Sequence, residues 1–276
     1  MKNKLRIIFG YLFSFLSVLL IVCVVLMLII KFTVFKKGYI NNILYKSNYY
    51  ITLKTNIIED MEDYMMSSGL PEEILDKIFT EEELKRDVNI FIDNLYLGKK
   101  TNLDTNYIRE RISQNISDYL KNNNVEVTND TDLESFKDEL IKIYNNQVCL
   151  YKTLDSFVGM VKKANNLLNK ATIIVSVLLL IVLILTILCK VKYFDSIFIS
   201  VGIILIFIRF LIYEKIDVEN LLIISDNFSK VLKSLLIKIG NIMFNCSIIF
   251  IVVGLLLSSI VYFCCKKGNK SLKNNI

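Results

Sequence analysis

Residues 7–30 read IIFGYLFSFLSVLLIVCVVLMLII, twenty-four uncharged residues in a row. As an α-helix rising ~1.5 Å per residue they reach roughly 36 Å, more than the ~30 Å hydrocarbon core of a bilayer. Lys2, Lys4 and Arg6 precede the run, as basic residues precede a secretory leader. The apolar stretch is too long for one, however, and no small-residue cleavage site follows. The run therefore reads as an uncleaved membrane anchor.

Working outward, three more runs of the same kind appear. They are ATIIVSVLLLIVLILTILC at 171–189, SIFISVGIILIFIRFLIY at 196–213 and CSIIFIVVGLLLSSIVYFCC at 246–265. The second and third spans are joined by the short turn KVKYFD and form a helical hairpin. The fold class expected is an all-α integral membrane protein: four transmembrane helices, with a large helical extracytoplasmic domain between spans 1 and 2. The divisions are 1–31 (tail and first span), 32–170 (helical domain), 171–213 (hairpin), 214–245 (outer amphipathic helical loop) and 246–276 (fourth span and basic tail). Four spans put both termini on one side. Nine basic residues and a single acid, Asp195, occupy the two tails and the 190–195 turn, which favours a cytoplasmic side for them. The localisation expected is the plasma membrane, multi-pass, with both termini cytoplasmic.

Composition agrees with this reading and closes off several chemistries. The 276 residues are 54% hydrophobic and 22% charged, with a mean hydropathy of +0.49, too apolar for an ordinary soluble domain. There is no His, so no Ser-His-Asp triad, Cys-His dyad or HExxH zinc site can be assembled. No glycine-rich phosphate loop, CxxC pair or nucleophile elbow is present. Lys and Arg total 33 against 27 acids, but residues 38–169 hold 22 acids and 15 bases. The positive excess thus lies at membrane edges and suits anionic headgroups rather than nucleic acid.

The 32–170 segment reads as helix almost throughout. Ile40, Ile43, Tyr50, Ile57, Met61 and Tyr64 follow a 3-4 spacing, with Ser47 and Lys54 as gaps. Gly69 and Pro71 mark a stop and a restart, since Gly can take φ > 0 and Pro suits a first helical position. Thr80 with Glu83 has capping-box spacing, and Leu84, Val88, Phe91 and Leu95 share one face. Gly98 ends that helix; Ile108, Ile112, Ile116 and Leu120 stripe the next, which the Asn run at 122–124 terminates. Thr131 with Glu134 repeats the capping-box spacing. Leu133, Phe136, Leu140, Ile143, Leu150, Leu154, Phe157 and Val161 then run toward the second span. The outer helices are accordingly expected to continue spans 1 and 2 as an antiparallel stalk.

Few residues stand out as sites. Arg209 is the one ionised group inside a span, where a charge costs at least ~2.5 kcal/mol at the bilayer centre; it either works there or snorkels to the interface. Tyr49 and Tyr50, within a Tyr-rich stretch, either line a recognition surface or pack the stalk. The acidic clusters at 59–63, 72–76 and 81–83 lack an EF-hand pattern and suit helix starts and solvated faces. Cys264 and Cys265 read as membrane-edge residues. The interaction candidates are Tyr49, Tyr50, Gly69, Pro71 and Arg209, with no catalytic, cofactor or metal-binding residue.

The Lys-started first span, SNYY at 47–50, SSGLPEEIL at 67–75 and DVNIFIDNLY at 87–96, followed by three more spans, resemble uncharacterised four-span membrane proteins of low-GC Gram-positive bacteria. The resemblance covers most of the chain and implies a plasma-membrane location with the helical domain outside. It supplies no catalytic residue. The function expected is a membrane-anchored interaction or sensing protein, not an enzyme. Its partners are the lipid bilayer, a membrane or cell-surface protein and a homo-oligomeric copy, with no nucleic acid. The alternative is a subunit of an oligomeric channel or transporter.

Overall fold

The computed structural model describes residues 2–66, 68–124, 130–149, 159–189, 194–215 and 226–273. Among these there is no strand, and nine α-helices follow one another. They are α1 (Lys2–Thr33), α2 (Lys37–Lys46), α3 (Tyr49–Met65), α4 (Glu81–Leu97), α5 (Asn106–Asn123), α6 (Asp130–Val148), α7 (Met160–Leu188), α8 (Phe194–Lys215) and α9 (Asp226–Lys273), with one 3₁₀ turn at Glu72–Leu75. Four helices are long and apolar enough to cross a membrane, over Arg6–Thr33, Met160–Leu188, Phe194–Glu214 and Ser229–Phe263. The chain divides into two compact units, one containing these four and the other built mainly from Lys37–Ala164.

In the first unit Val18, Ile21, Val22 and Ile29 of α1 pack against Ile197, Val201 and Leu205 of α8 and Met243 of α9. The few polar groups follow the requirement that a hydroxyl among apolar neighbours find a partner. Ser14, Ser17, Thr186 and Ser259 each donate to the carbonyl four residues back, at 2.8–2.9 Å. Ser17 and Thr186 are fully buried and also meet one another at 3.3 Å, linking α1 to α7. The Arg6 guanidinium donates to the carbonyls of Leu188 (2.7 Å) and Cys189 (3.2 Å). Those are among the last acceptors of α7, which no residue of that helix can reach, and a cation suits the negative end of the helix dipole. Helices α8 and α9 approach closely because Gly202 lies against the Ser247 carbonyl and Ile251, and Gly254 against Ile199 and the Asp195 carbonyl.

The second unit has its own core. Leu53, Ile57 and Met61 of α3, Leu84 and Val88 of α4, Ile108, Ile112 and Ile116 of α5, and Leu140, Tyr144 and Val148 of α6 are all at most 2% exposed. Tyr64 stacks on Phe136 while Tyr49 lies near Cys149, so α3 and α6 run antiparallel. Both halves of the Thr80–Glu83 capping box are made, Glu83 N–H to Thr80 Oγ1 at 3.2 Å and Thr80 N–H to the Glu83 carboxylate at 2.8 Å. Gly98 and Asn124 end α4 and α5 in left-handed conformations, with φ of 67° and 52°.

Three expectations are corrected here. The first outer helix does not continue α1: the chain turns at residues 34–36 and again at Ser47–Asn48, where Asn48 adopts φ 54°. Asn tolerates that conformation better than most residues, so the stripe of apolar positions passes through a break it does not reveal. Nor does α6 continue α7, because α6 stops at Val148 and Gly159, just ahead of α7, has φ 90°. Leu150, Leu154 and Phe157 lie outside the described residues. Thr131 is not an N-cap, since it already sits inside α6, and Glu134 instead pairs with Lys137 and Arg109. In addition, α9 runs unbroken across residues 245–246, where the sequence suggests a boundary between loop and fourth span. Part of the 214–245 segment, residues 216–225, lies outside the described residues.

A Cβ added at Gly202 would lie 2.5 Å from Ile251 and 2.8 Å from the Ser247 carbonyl oxygen. Overpacking of that kind costs about 1–3 kcal/mol. Gly202→Val should therefore lower the thermal midpoint of the detergent-purified chain by several degrees. Gly38→Ala, with nothing within 4 Å of the new atom and a better helix former in α2, should not lower it. Equal midpoints for the two variants would mean that α8 and α9 do not touch there.

Candidate functional site

The sequence candidates do not assemble into one site. Tyr49 and Tyr50 open α3 and are each 5% exposed, their rings edge-to-face at 5.7 Å, so they fill the core instead of facing solvent. Lys85 of α4 lies 5.7 Å from the centre of the Tyr50 ring and 5.6 Å from that of Tyr45. Gly69 and Pro71 sit beyond the other end of α3, about 24 Å along a helix of that length. Gly69 has φ 71° and open space around it, and Pro71 precedes the 3₁₀ turn in an extended conformation. Backbone geometry accounts for both. Arg209 belongs to the other unit, on α8, between the rings of Tyr213 and Phe244. Cys264 and Cys265 fall where side chains are not described.

A polar cluster that periodicity does not reveal occupies the middle of the second unit. Asp87 of α4 is 1% exposed, and its carboxylate is fully engaged. One oxygen accepts from Arg86 Nε at 3.0 Å; the other accepts from the hydroxyls of Tyr107 and Tyr144, each at 2.9 Å. The two hydroxyls are 3.1 Å apart. Burial pushes both phenols well above their ordinary titration range, so they remain protonated donors at neutral pH. The cluster holds α4, α5 and α6 together through one carboxylate. A tyrosine and a carboxylate in contact can also serve acid–base catalysis; here all three groups are bonded to one another within the cluster.

Helix α5 supplies the rest of the polar framework from one stripe, Tyr107, Arg111 and Asn115, at i, i+4 and i+8. Arg111 grips the Glu83 carboxylate with two bonds of 2.7 and 2.9 Å and reaches the Ile78 carbonyl at 3.2 Å. Asn115 donates to the carbonyls of Ile74 and Asp76 at 2.8 and 3.0 Å, fixing the 3₁₀ turn. The signal for these residues was present in the sequence as a polar stripe beside the Ile108-Ile112-Ile116 stripe.

On the far side of α5 an open groove of about 620 Å³ runs between α5 and α6. Ser113, Ser117, Lys121 and Asn124 line one wall, Leu133 and Lys137 the other, and Ile116 and Leu120 complete the lining. The Lys137 ammonium donates to Glu134 at 2.8 Å. Hydroxyls, an amide and two ammonium groups around an apolar strip suit recognition of a polar chain, and none of the Asp87 cluster reaches this groove. Among the described residues no group of three or more Cys, Asp or Glu side chains is placed to hold a metal ion. The chain matches no protein-family model, and comparison with curated proteins and with solved structures finds no similar one. What stands, among the described residues, is a helical chain with four helices long and apolar enough to cross a membrane.

Removing the Asp87 carboxylate takes the acceptor from the buried Tyr144 hydroxyl and the half-buried Tyr107 hydroxyl, a loss on the scale of about 1–3 kcal/mol. Asp87→Ala should unfold the second unit at a much lower temperature, whereas Tyr107→Phe should cost far less; similar midpoints would remove the central role of Asp87. The pair of bonds from Arg111, with help from Thr80, lowers the Glu83 carboxyl from 4.5 to about 2. Its stabilising contribution is complete above the ordinary carboxylate pKa and is lost as pH falls toward 2. Circular dichroism at pH 7 and through the range 4.5–2 should show Glu83→Gln less stable at neutrality and less acid-sensitive below. An unchanged acid profile would place the pH dependence elsewhere.

Proposed function

We propose that this chain is an integral plasma-membrane protein that crosses the bilayer four times with both termini in the cytoplasm. Its helical unit lies outside and binds a protein partner or cell-surface ligand, with no catalytic step. The observation that carries the reading is that Lys37–Ala164 forms a compact unit with a closed core and a saturated internal carboxylate, yet keeps an open polar groove between α5 and α6. A segment needed only to link two spans has no use for such a core. The apolar helices carry one ionised residue in their central stretches, Arg209, a poor complement for ion-coupled transport.

One observation also suits a second reading. Only 11% of the most apolar window of α7, and the same share for α9, is buried. Lipid covers such faces in a monomer, and neighbouring copies cover them in a ring. The second reading is accordingly a subunit of an oligomeric channel or transporter.

Single cysteines at Asn123 and Asn274 in a Cys-free background, treated on intact cells with an impermeant thiol reagent, test the topology. Labelling at 123 alone is expected; labelling at 274 alone reverses the orientation, and labelling at both removes the even number of crossings. A photo-crosslinking residue at Ser117 should trap a discrete partner, and Ser113→Arg should abolish the adduct while leaving insertion and thermal midpoint intact. Reproducible dye or ion flux from liposomes holding a ring-shaped oligomer would favour the channel.

A further inference from the structure

Arg209 lies six residues from the end of α8, roughly 9 Å inside it at ~1.5 Å per residue. Its guanidinium carbon stands 5.3 Å from the centre of the Tyr213 ring on the same helix and 4.6 Å from that of Phe244 on α9. Both aromatic faces are attractive to a cation. The cradle is built, not incidental. Gly240 leaves space for the Tyr213 ring on the surface of α9, and a Cβ there would come within 2.6 Å of the ring. The Tyr213 hydroxyl donates to the Ile237 carbonyl at 3.3 Å, which fixes the ring against α9.

Two ring faces offset the charge but offer no in-plane acceptor to the N–H donors of a guanidinium. Arg209 Nε is buried with no hydrogen-bond acceptor. No carboxylate among the described residues forms an ion pair with Arg209. Glu214, five positions on, points about 140° away around the helix. Arg209 as a whole is half-buried, and an oxyanion at its terminal nitrogens would complete the group. On α9, Ile237, Gly240 and Phe244 fall at i, i+3 and i+7, one face of the helix.

We infer that Arg209, held between Tyr213 and Phe244, binds the phosphate of an anionic phospholipid. This inference rests on the membrane reading above. The chemistry recognised is a phosphate oxyanion, which a planar guanidinium meets with two parallel bonds. The depth of Arg209, more than a turn inside the helix end, selects a phosphate tethered to acyl chains over a free one.

The test uses the full chain in nanodiscs of phosphatidylglycerol mixed with phosphatidylcholine, followed by extraction into mild detergent and native mass spectrometry of the retained lipid. Wild type should retain phosphatidylglycerol over phosphatidylcholine by about tenfold, the equivalent of one charge-assisted contact. Arg209→Gln should lose that preference while inserting normally, and Arg209→Lys should restore only part of it, because an ammonium does not make the bidentate contact. Phe244→Leu, which keeps the charge and removes one face of the cradle, should weaken retention without altering insertion. Equal retention of both lipids by wild type, or unchanged preference in Arg209→Gln, overturns the inference while leaving the four-span reading in place. Thermal stabilisation of wild type by inorganic phosphate equal to that by phosphatidylglycerol also overturns it, in favour of a soluble anion. Failure of the wild-type chain to enter nanodiscs overturns both.

Discussion

A peptide group surrounded by hydrocarbon has no water to bond to, so each N–H and C=O in such a place must be satisfied by the chain itself. Helix is the local answer, and its ends are the difficulty, because the last carbonyls have no donor within the helix. Arg6 resolves this at the end of α7 from a residue at the start of α1. The side chains obey the same rule. Ser14, Ser17, Thr186 and Ser259 return their protons to carbonyls of their own helices. With most hydroxyls satisfied inside their own helices, apolar fit and small residues such as Gly202 and Gly254 do much to set how the helices pack.

The second unit meets the same requirement with side chains. Asp87 is the most expensive group in its core, since a carboxylate in an apolar interior is tolerated only when hydrogen-bonded on all sides. Arg86, Tyr107 and Tyr144 do this from three helices. The unit thereby gains specificity. Shifting any of the three helices by one residue would strand the carboxylate, whereas an all-aliphatic core tolerates such slippage more readily.

Local signals in the sequence proved the most legible. Four apolar runs, the Thr80–Glu83 cap, the stop at Gly98 and the Ile108-Ile112-Ile116 stripe all correspond to features of the structure, because each depends on residues within a turn or two of one another. The breaks at 34–36 and at Asn48 did not show, since a 3-4 spacing of apolar residues can persist across a short kink. Thr131 looked like a cap because spacing alone cannot say where a helix begins. The Asp87 cluster was illegible for a different reason. Its partners stand 20 and 57 residues away, and nothing local distinguishes a carboxylate that will be buried from one left in water. The Arg209 position was legible as an oddity, but its aromatic cradle depends on Phe244 and Gly240, more than thirty residues on.

The Ser17–Thr186 contact carries a consequence for the order of events during synthesis. The two residues are 169 positions apart. At ~5–20 residues per second, roughly 8–34 s separate the emergence of one from that of the other. In the four-span reading α1 therefore enters the bilayer and waits there without α7 or α8 to cover its inner face. Its Ser17 hydroxyl is not stranded meanwhile, because the Phe13 carbonyl holds it at 2.8 Å. The longest separation in the Asp87 cluster is 57 residues, so the helical unit can close during that interval. The early helix is self-sufficient because it must be born alone.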